Sequence, residues 1–420
     1  MSDDEPDLEL LELLRQSLGM GKRSNELVPA ETRVLEGAQH VFDNAIDVAV
    51  DPFAIKAAAR TILHQMQKKE YSTKTWSSHE LHPKGKDEST VDFIFTMDLL
   101  NFSFWSDEKD ESKQFGIQYR GRKWTGYWGL VAAMQRALDE EIPITSSDFW
   151  QNEDECTDEV LRHVFRSATN EEIPLFSERM ECLREAGRVL YDKYRCSFTN
   201  CISEANGSAA ALVNLVAESF PCFRDEFRFE GRRVRFYKRA QILVADLWAC
   251  FEGKSYGKFH DINKITIFPD YRIPQMLHNL GCLRYSPLLE THVRHGKIIP
   301  SGGNWEIELR GTSIWCVEMI RKEILKQNPG IRGGSALETP KPEVPEPQSE
   351  VVNGHEELEN DANGDGIEAT EEPNGDSNSG DNKTMVNAIL IDFFLYDTMK
   401  ELEEEGKVDM PHHRTRSIWY

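Results

Sequence analysis

The sequence predicts a mainly α-helical fold with a few short strands. Two apolar stripes have the i, i+3, i+4, i+7 spacing of one helical face. Their members are Ala240, Leu243, Val244, Leu247 and Phe251 in the first stripe, and Ile314, Val317, Ile320 and Ile324 in the second. Strand signals are shorter and fewer, for example at residues 227–236 and 305–309. No internal repeat is evident, so helix packing should dominate the architecture.

Similar patterns predict the other helices in chain order. We expect helices at residues 52–67, 127–138, 158–165, 177–194 and 208–219, and Gly253 is a plausible stop for the helix that holds the first stripe. Aromatic residues are concentrated at residues 92–105 and 122–138. These segments are interpreted mainly as core, with an aromatic wall for a planar ligand as the alternative.

Composition and charge narrow the function classes. The 420-residue chain has a net charge of −23, which argues against tight binding to long nucleic acid. No run of about eighteen apolar residues occurs, so we expect no membrane-spanning helix. The acidic N-terminus MSDDEPDLELLELL lacks the features of a secretory signal. We therefore expect the protein in the cytosol or nucleus.

The cysteines and histidines give little support for a metal. The eight cysteines are spread singly along the chain, without zinc spacing, and should be free thiols. His79 and His82 have i, i+3 spacing, but Pro83 weakens a helical interpretation and no third ligand is evident. We predict neither a metal nor an organic cofactor.

Two segments differ in composition from the remainder of the chain. Residues 1–35 look like an acidic arm, and residues 328–383 are rich in Pro, Gly, Asn and acids. The latter stretch contains about half of the net negative charge and too little apolar surface to fold, so we predict a disordered insertion. Residues 36–327 and 384–420 should then form a single domain.

Asp270 is the first candidate for chemistry. It stands in ITIFPDYRIPQMLHNLG, between a hydrophobic run and a helix with Pro274 in its first turn. An aspartate there is typical of a helix N-cap. The two interpretations are compatible, because a capping carboxylate is held in a fixed position and can also face a pocket.

A second candidate group lies in the predicted helix 385–402. Asp392 stands in the middle of an apolar run that covers every face of this helix, so its carboxylate should be buried. Asp397 is about 140° further round the helix, and the two acids could line different walls of one cavity. A salt bridge from Asp392 to a core arginine is the structural alternative.

The third candidate is the basic cluster of His412, His413, Arg414, Thr415 and Arg416. Arg414 and Arg416 would share one face of an extended segment, which suits a phosphate. A solvated tail that balances acidic neighbours is the alternative.

Eight segments in this order resemble the queuosine salvage proteins, also called queuosine 5′-phosphate N-glycosylase/hydrolases. The segments are WSSHEL, DLLNFSFW, WTGYWGL, FYKRAQILVADLW, ITIFPDYRIPQ, GTSIWCVEMI, ILIDFFLYD and HHRTRSIWY. The resemblance covers about residues 40–328 and 384–420. The acidic arm and the long insertion depart from shorter family members and leave these segments intact.

The resemblance implies a helical fold similar to helix-hairpin-helix DNA glycosylases and the release of queuine, a 7-deazaguanine base, from queuosine 5′-monophosphate for reuse in tRNA modification. It implies that Asp270 is the catalytic carboxylate. The other residues that it places at the substrate are His79, Lys238, Thr266, Phe268, Asp392, Phe393 and Asp397.

These residue types suit the implied chemistry. Breaking an N-glycosidic bond builds positive charge on the sugar, which a fixed carboxylate such as Asp270 can stabilise either electrostatically or by forming a covalent bond. Acceptor-only carboxylates such as Asp392 and Asp397 suit a base edge with N–H donors and a cationic amine. Phe393 or Phe268 could stack on the ring. The residues that could hold the 5′-phosphate are Lys238, His413, Arg414 and Arg416.

Two other functions remain open from the sequence. One is a non-catalytic helix-hairpin-helix module that binds nucleic acid or a protein, and the other is a DNA glycosylase. The acidic composition argues against a nucleic-acid partner, and a buried Asp392 argues against a purely structural scaffold. We expect a small nucleotide as the ligand, with no membrane contact and no stable nucleic-acid complex.

Overall fold

The computed structural model describes residues 31–331 and 386–420, and within them the protein is mainly helical. The α-helices of this part are α1 Val34–Asn44, α2 Pro52–Lys68, α3 Thr73–Ser78, α4 Glu88–Leu99, α5 Gly126–Asp139, α6 Ser147–Gln151, α7 Asp158–Val164, α8 Phe176–Tyr194, α9 Phe198–Glu204, α10 Ala209–Ser219, α11 Lys238–Cys250, α12 Arg272–Asn279, α13 Pro287–Arg294, α14 Asn304–Gln327 and α15 Ala388–Glu404. The prediction of a mainly α fold is confirmed.

Short strands form three antiparallel pairs in the described residues. The pairs are β1 Val48–Val50 with β6 Leu283–Tyr285, β2 Ile117–Tyr119 with β3 Arg122–Trp124, and β4 Glu226–Phe229 with β5 Arg232–Arg235. The predicted strand signal at residues 227–236 is confirmed as a hairpin that turns at Glu230 and Gly231. Each pair connects or braces helices, so no extended sheet is present in this part of the chain.

The strand predicted at residues 305–309 is wrong, because this segment begins α14. A strand would have placed Glu306 and Glu308 on a solvent face, but both are buried. Glu306 forms an ion pair with Arg310, four residues along the helix. Glu308 accepts backbone N–H bonds from residues 46–48. A local i, i+4 ion pair for Glu306 and tertiary partners for Glu308 thus outweigh the alternation of polar and apolar residues.

The predicted helices are confirmed, with ends that shift by up to three residues. The helix predicted at residues 52–67 is α2, where Asp51 accepts backbone N–H bonds as the N-cap. Gly253 follows α11 with a φ of 71°, and its N–H bonds to the carbonyl of Trp248. This left-handed conformation favours glycine, which explains why the chain leaves the helix there.

Helix α11 lies at the centre of the body. All of its residues except Ile242 are buried, and it packs against α3, α4 and α10. Helix α15 lies in the second described range, residues 386–420, and packs against α12 and α14. The C-terminal segment then crosses the body, where Ile299 N–H bonds to the Arg414 carbonyl and Ser103 N–H bonds to the Tyr420 carbonyl. Residues distant in sequence are thereby brought to one side of α11.

Most of the predicted arm and insertion lie outside the described residues, so their disorder stays a prediction. All eight cysteines are described and are free thiols, as expected. None of the described helices has the length and apolar character needed to cross a membrane.

Helices α1 and α14 approach closely at Gly311. A Cβ atom at this position would lie 2.6 Å from the Cβ of Val41, well inside van der Waals contact. Gly311 is therefore present because of the packing distance, although alanine favours a helix interior by about 1 kcal/mol.

Replacing Gly311 with alanine should lower the free energy of unfolding by about 1–2 kcal/mol, since overpacking a dense core outweighs the gain in helix propensity. Urea denaturation measures the change. Gly330→Ala is the control, because a Cβ there meets nothing within 4 Å. Val41→Ala should partly rescue Gly311→Ala, and additive losses in the double variant would contradict this packing argument.

Candidate active site

The candidate site is a cavity of about 290 Å³ beside α11, which we call the site pocket. Its walls come from α3, α5, α11, α15, the segment before α12 and the C-terminal residue. The lining residues are Tyr71, Thr75, Trp76, Ser78, His79, His82, Asn101, Phe104, Tyr127, Trp128, Lys238, Ile242, Asp246, Phe268, Asp270, Tyr271, Asp392, Phe393, Tyr396, Asp397 and Tyr420.

Two helices supply opposing rows of side chains. Lys238, Ile242 and Asp246 of α11 are spaced by four residues and so lie on one face, about 12 Å from end to end. Helix α15 contributes Asp392 and Asp397 together with the aromatic residues between them. Asp392 and Asp397 do line one cavity, as their angular separation suggested.

Asp270 is half-buried and stands directly before α12. Its Oδ1 accepts hydrogen bonds from the backbone N–H groups of Arg272, at 2.7 Å, and Ile273, at 3.0 Å. The capping interpretation is therefore confirmed. Because Oδ2 accepts no hydrogen bond from the described chain, one oxygen of a rigidly held carboxylate remains to face a ligand.

Asp392 is buried, with 5% of its surface exposed. Its Oδ1 accepts a hydrogen bond of 2.9 Å from the backbone N–H of Phe268, and within the described residues it forms no ion pair with an arginine. Burial, followed by the nearby charge of Asp270, raises the pKa of the Asp392 carboxyl well above its ordinary value. An approaching cation would favour its ionised form.

Lys238 begins α11 and is also buried, at 4% exposure. Its ammonium group faces the site pocket without a hydrogen bond to any described residue. Burial lowers the pKa of Lys238, and the opposing charges of Asp270, Asp98 and Asp392 partly offset that effect. The pocket thus contains a cation that is available to an anionic group.

Asp397 lies at the exposed mouth of the site pocket, where its Oδ2 accepts a hydrogen bond from the Tyr71 hydroxyl. Phe393, on the same helix, meets Phe268 with ring centroids 6.0 Å apart. The predicted site residues Phe268, Asp392, Phe393 and Asp397 are therefore contiguous in the structure.

His79 stacks on Trp128, with ring planes 16° apart. Burial lowers the pKa of His79 and also lowers that of His82, to about 3, so His82 is neutral. His82 is held by the Trp76 carbonyl and the Tyr127 hydroxyl, both at 2.7 Å. Planar rings therefore line this end of the pocket. Tyr127 and Trp128 supply part of the aromatic wall that was the alternative interpretation of residues 122–138.

Thr266 does not line the site pocket. Its backbone N–H and its hydroxyl bond to the side chain of Gln241 on α11, and the residue is buried. These contacts attach the segment before Asp270 to the central helix. Thr266 therefore supports the pocket from behind.

The C-terminal basic residues also lie outside the site pocket. His413 is buried and bonds to the Tyr420 hydroxyl at 3.2 Å. Arg416 lies 3.5 Å from the ring centroid of Trp105 and donates to the Trp105 carbonyl, while Arg414 lies 5.4 Å from the same ring. The structure therefore does not bring these cations together with Asp270 and Lys238.

The sequence did not single out several residues that line the pocket. Asp246 is buried, and burial raises the pKa of its carboxyl well above the ordinary value. Its spacing from Lys238 along one helical face was a usable signal. Tyr71 and Tyr420 had no such signal, because they reach the pocket through the tertiary fold.

Residues 31–331 and 386–420 contain no group of three or more His, Cys, Asp or Glu side chains that could hold a metal ion. The pocket instead combines a fixed carboxylate, a buried acid, a buried ammonium group and planar rings. Such a set can bind a planar heterocycle with N–H donors and stabilise positive charge beside it.

The family model and the similar proteins all indicate the same family. The family model described as "Queuosine salvage protein" matches residues 81–420. A protein of Schizosaccharomyces pombe, named queuosine 5′-phosphate N-glycosylase/hydrolase, is 39% identical over 93% of this chain and 100% of its own length. Proteins of the same name from Bos taurus and Sphaerobacter thermophilus are 38% and 37% identical, over 92% and 69% of this chain and 98% and 85% of their own lengths. This chain belongs to the queuosine salvage protein family.

Proposed function

We propose that this protein is an N-glycosidase that hydrolyses queuosine 5′-monophosphate and releases queuine for salvage into tRNA modification. The observation that supports this most directly is the Asp270 carboxylate, which is fixed by two backbone N–H groups and keeps one oxygen for the site pocket. The names of the relatives give the same substrate and reaction.

Asp270 acts on the sugar in this proposal. As the bond between C1′ and the base nitrogen breaks, the electron pair leaves with the base and positive charge develops on the ribose. A carboxylate already held in place stabilises that charge without reorganising at the moment of reaction. Water then adds to C1′, and the proton that it loses neutralises the departing base, which completes the hydrolysis.

The departing base lies between acids and rings. Asp392 accepts N–H donors of the guanine-like edge or pairs with the cationic amine of queuine, and Asp397 acts similarly at the mouth. Phe268 and Phe393 contact one part of the heterocycle, and His79, which stacks on Trp128, contacts another. No metal or organic cofactor enters this scheme.

Lys238 binds the 5′-phosphate in this proposal, because its buried ammonium group faces the pocket next to Asp270. His413 contributes only through the Tyr420 hydroxyl, and Arg414 and Arg416 stabilise the segment around Trp105. Thr266 keeps the segment before Asp270 on α11.

We further propose that the helical body has the arrangement of helix-hairpin-helix DNA glycosylases, which the family resemblance implies. Residues 36–327 and 384–420 form one domain in this view, and the shared core around residues such as Ile320 and Leu395 supports it. A location in the cytosol or nucleus is also part of the proposal. So is the lack of a stable nucleic-acid complex, which the charge of −23 supports.

Asp270→Asn should lower the rate of queuine release from queuosine 5′-monophosphate by about 10³-fold, as expected for the loss of a transition-state stabiliser. The amide oxygen can still accept both backbone N–H bonds, so the melting temperature should hardly change. Chromatography of the products measures release. Asp87→Asn is the control, because Asp87 caps α4 outside the pocket. Full activity of Asp270→Asn would remove Asp270 from the chemistry.

Asp392→Asn should weaken queuine binding by about 10- to 100-fold, since a charge-assisted hydrogen bond becomes neutral. The raised pKa of Asp392 means that the wild-type carboxyl must lose its proton before it can pair with an ammonium group. Wild-type affinity should therefore rise as pH rises through this pKa and fall below it, with proton release on binding. Calorimetry in buffers of different ionisation enthalpy measures the release, and equal release by Asp392→Asn would assign it to another group.

Lys238→Met should raise KM for queuosine 5′-monophosphate by about tenfold or more, because a desolvated phosphate loses its cation. The nucleoside queuosine serves as the matched control, since it lacks the phosphate. Steady-state kinetics with both substrates measure the difference. An equal loss with nucleoside and nucleotide would mean that Lys238 serves Asp270 and not the phosphate.

A further inference from the structure

Arg310 is a fully buried cation that does not line the site pocket. It nevertheless contacts Pro269, Asp225 and Tyr420, which belong to or hold the segments that form the pocket walls. Its side chain is 0% exposed. It forms a two-pronged ion pair with Asp225, at 2.6 and 3.0 Å, and a further pair with Glu306 at 3.2 Å. Its Nε donates to the Pro269 carbonyl at 2.9 Å. All five N–H groups of a guanidinium lie in one plane, so these contacts fix one orientation.

The bond to Pro269 fixes the peptide that leads into Asp270. The Asp270 carboxylate is held on its other side by the backbone N–H groups at the start of α12. The backbone before the catalytic carboxylate and the carboxylate itself therefore have separate anchors. Loss of the Pro269 anchor would let residue 270 move while its capping bonds remain.

The partner Asp225 fixes the start of α11. Its Oδ2 accepts the backbone N–H of Lys238 at 3.2 Å, and its carbonyl accepts the N–H of Phe236 at 3.0 Å. Between them, Tyr237 has a φ of 49°, a left-handed conformation that needs support from its surroundings. The Asp225–Arg310 pair thus determines where Lys238 enters the pocket.

The faces of the guanidinium contact aromatic rings. The centroids of Phe236 and Tyr420 both lie 4.4 Å from its central carbon, and Tyr420 lines the site pocket. A cation over these rings is attracted by their π electrons. A single side chain therefore orients Pro269, Asp225 and Tyr420 relative to one another.

Stability alone does not account for this arrangement. A buried ion pair contributes little net stability, because the cost of removing the charges from water offsets their attraction. Helix α14 contains a second buried pair, Arg321 with Glu318, whose atoms approach to 2.8 Å. The hydrogen bonds of Arg321 reach Glu318 on the same helix, whereas Arg310 bonds to the carbonyl of Pro269, the neighbour of Asp270, and contacts the ring of Tyr420, which lines the site pocket. The two arginines differ in their connection to the pocket and hardly in burial.

We propose that Arg310 is a positioning residue that sets the distance of Asp270 from the reacting sugar carbon and the entry point of Lys238. The inference rests on the proposed N-glycosidase function. Arg310 touches no substrate, and its effect acts through Pro269 and Asp225. Because a displacement of about 1 Å can cost a reaction about 100-fold, its loss should affect turnover more than binding.

The test compares Arg310→Lys with Arg321→Lys in the full chain. Lysine keeps the charge beside the acid but cannot donate to the two Asp225 oxygens and the Pro269 carbonyl in one plane. For Arg310→Lys we expect kcat with queuosine 5′-monophosphate to fall by about 10- to 100-fold while KM changes by less than about threefold. For Arg321→Lys we expect a similar drop in melting temperature and a wild-type kcat.

Kinetics are measured well below both melting temperatures, and near-ultraviolet circular dichroism confirms that both variants are folded. Wild-type kcat in Arg310→Lys would overturn the inference, and so would equal losses of kcat in the two variants. If Arg310→Lys does not fold, Asp225→Asn replaces it, and the same loss of kcat at unchanged KM is required. Absence of queuine release by the wild-type protein would instead contradict the proposed function.

Discussion

The Arg310–Asp225 ion pair is the interaction on which the pocket geometry depends. It lies in the protein interior and joins the long helix α14 to the segment before Asp270 and to the start of α11. Those two segments present the Asp270 carboxylate and the Lys238 ammonium group to the same cavity. Neither segment is regular secondary structure where it bends, so side-chain contacts must hold it. The catalytic arrangement is thus built by tertiary contacts between distant parts of the chain.

Burial disfavours the charged forms of three side chains that line the site pocket. Asp246 and Asp392 are buried and have raised pKa values, while the pKa of buried Lys238 is lowered. Each shift means that burial in the protein disfavours the charged form. A ligand with a cationic amine, N–H donors and a phosphate can supply the missing partners. The side chains whose ionisation is disfavoured by burial are therefore available to bind a ligand, as is common at functional sites.

Much of the fold followed from local pattern, whereas the site followed only in part. Helix bounds were predictable because each apolar stripe has a helical period, and Asp270 was recognisable from its place before α12. The strand at residues 305–309 was predicted wrongly because Glu306 pairs with Arg310 one helical turn later, and because the partners of Glu308, residues 46–48, are distant in sequence. Arg414 and Arg416 looked like phosphate ligands, but the route of the C-terminal segment places them beside Trp105. The path of the C-terminal segment cannot be predicted from the spacing of residues along the chain.

A crystal structure of Asp270→Asn with intact queuosine 5′-monophosphate tests the central claim most directly. The account predicts the sugar C1′ within about 3–3.5 Å of an oxygen-sized position at residue 270, with the base edge on Asp392 and the phosphate at Lys238. A nucleotide bound with its ribose remote from residue 270, or bound outside the pocket between α11 and α15, would contradict it.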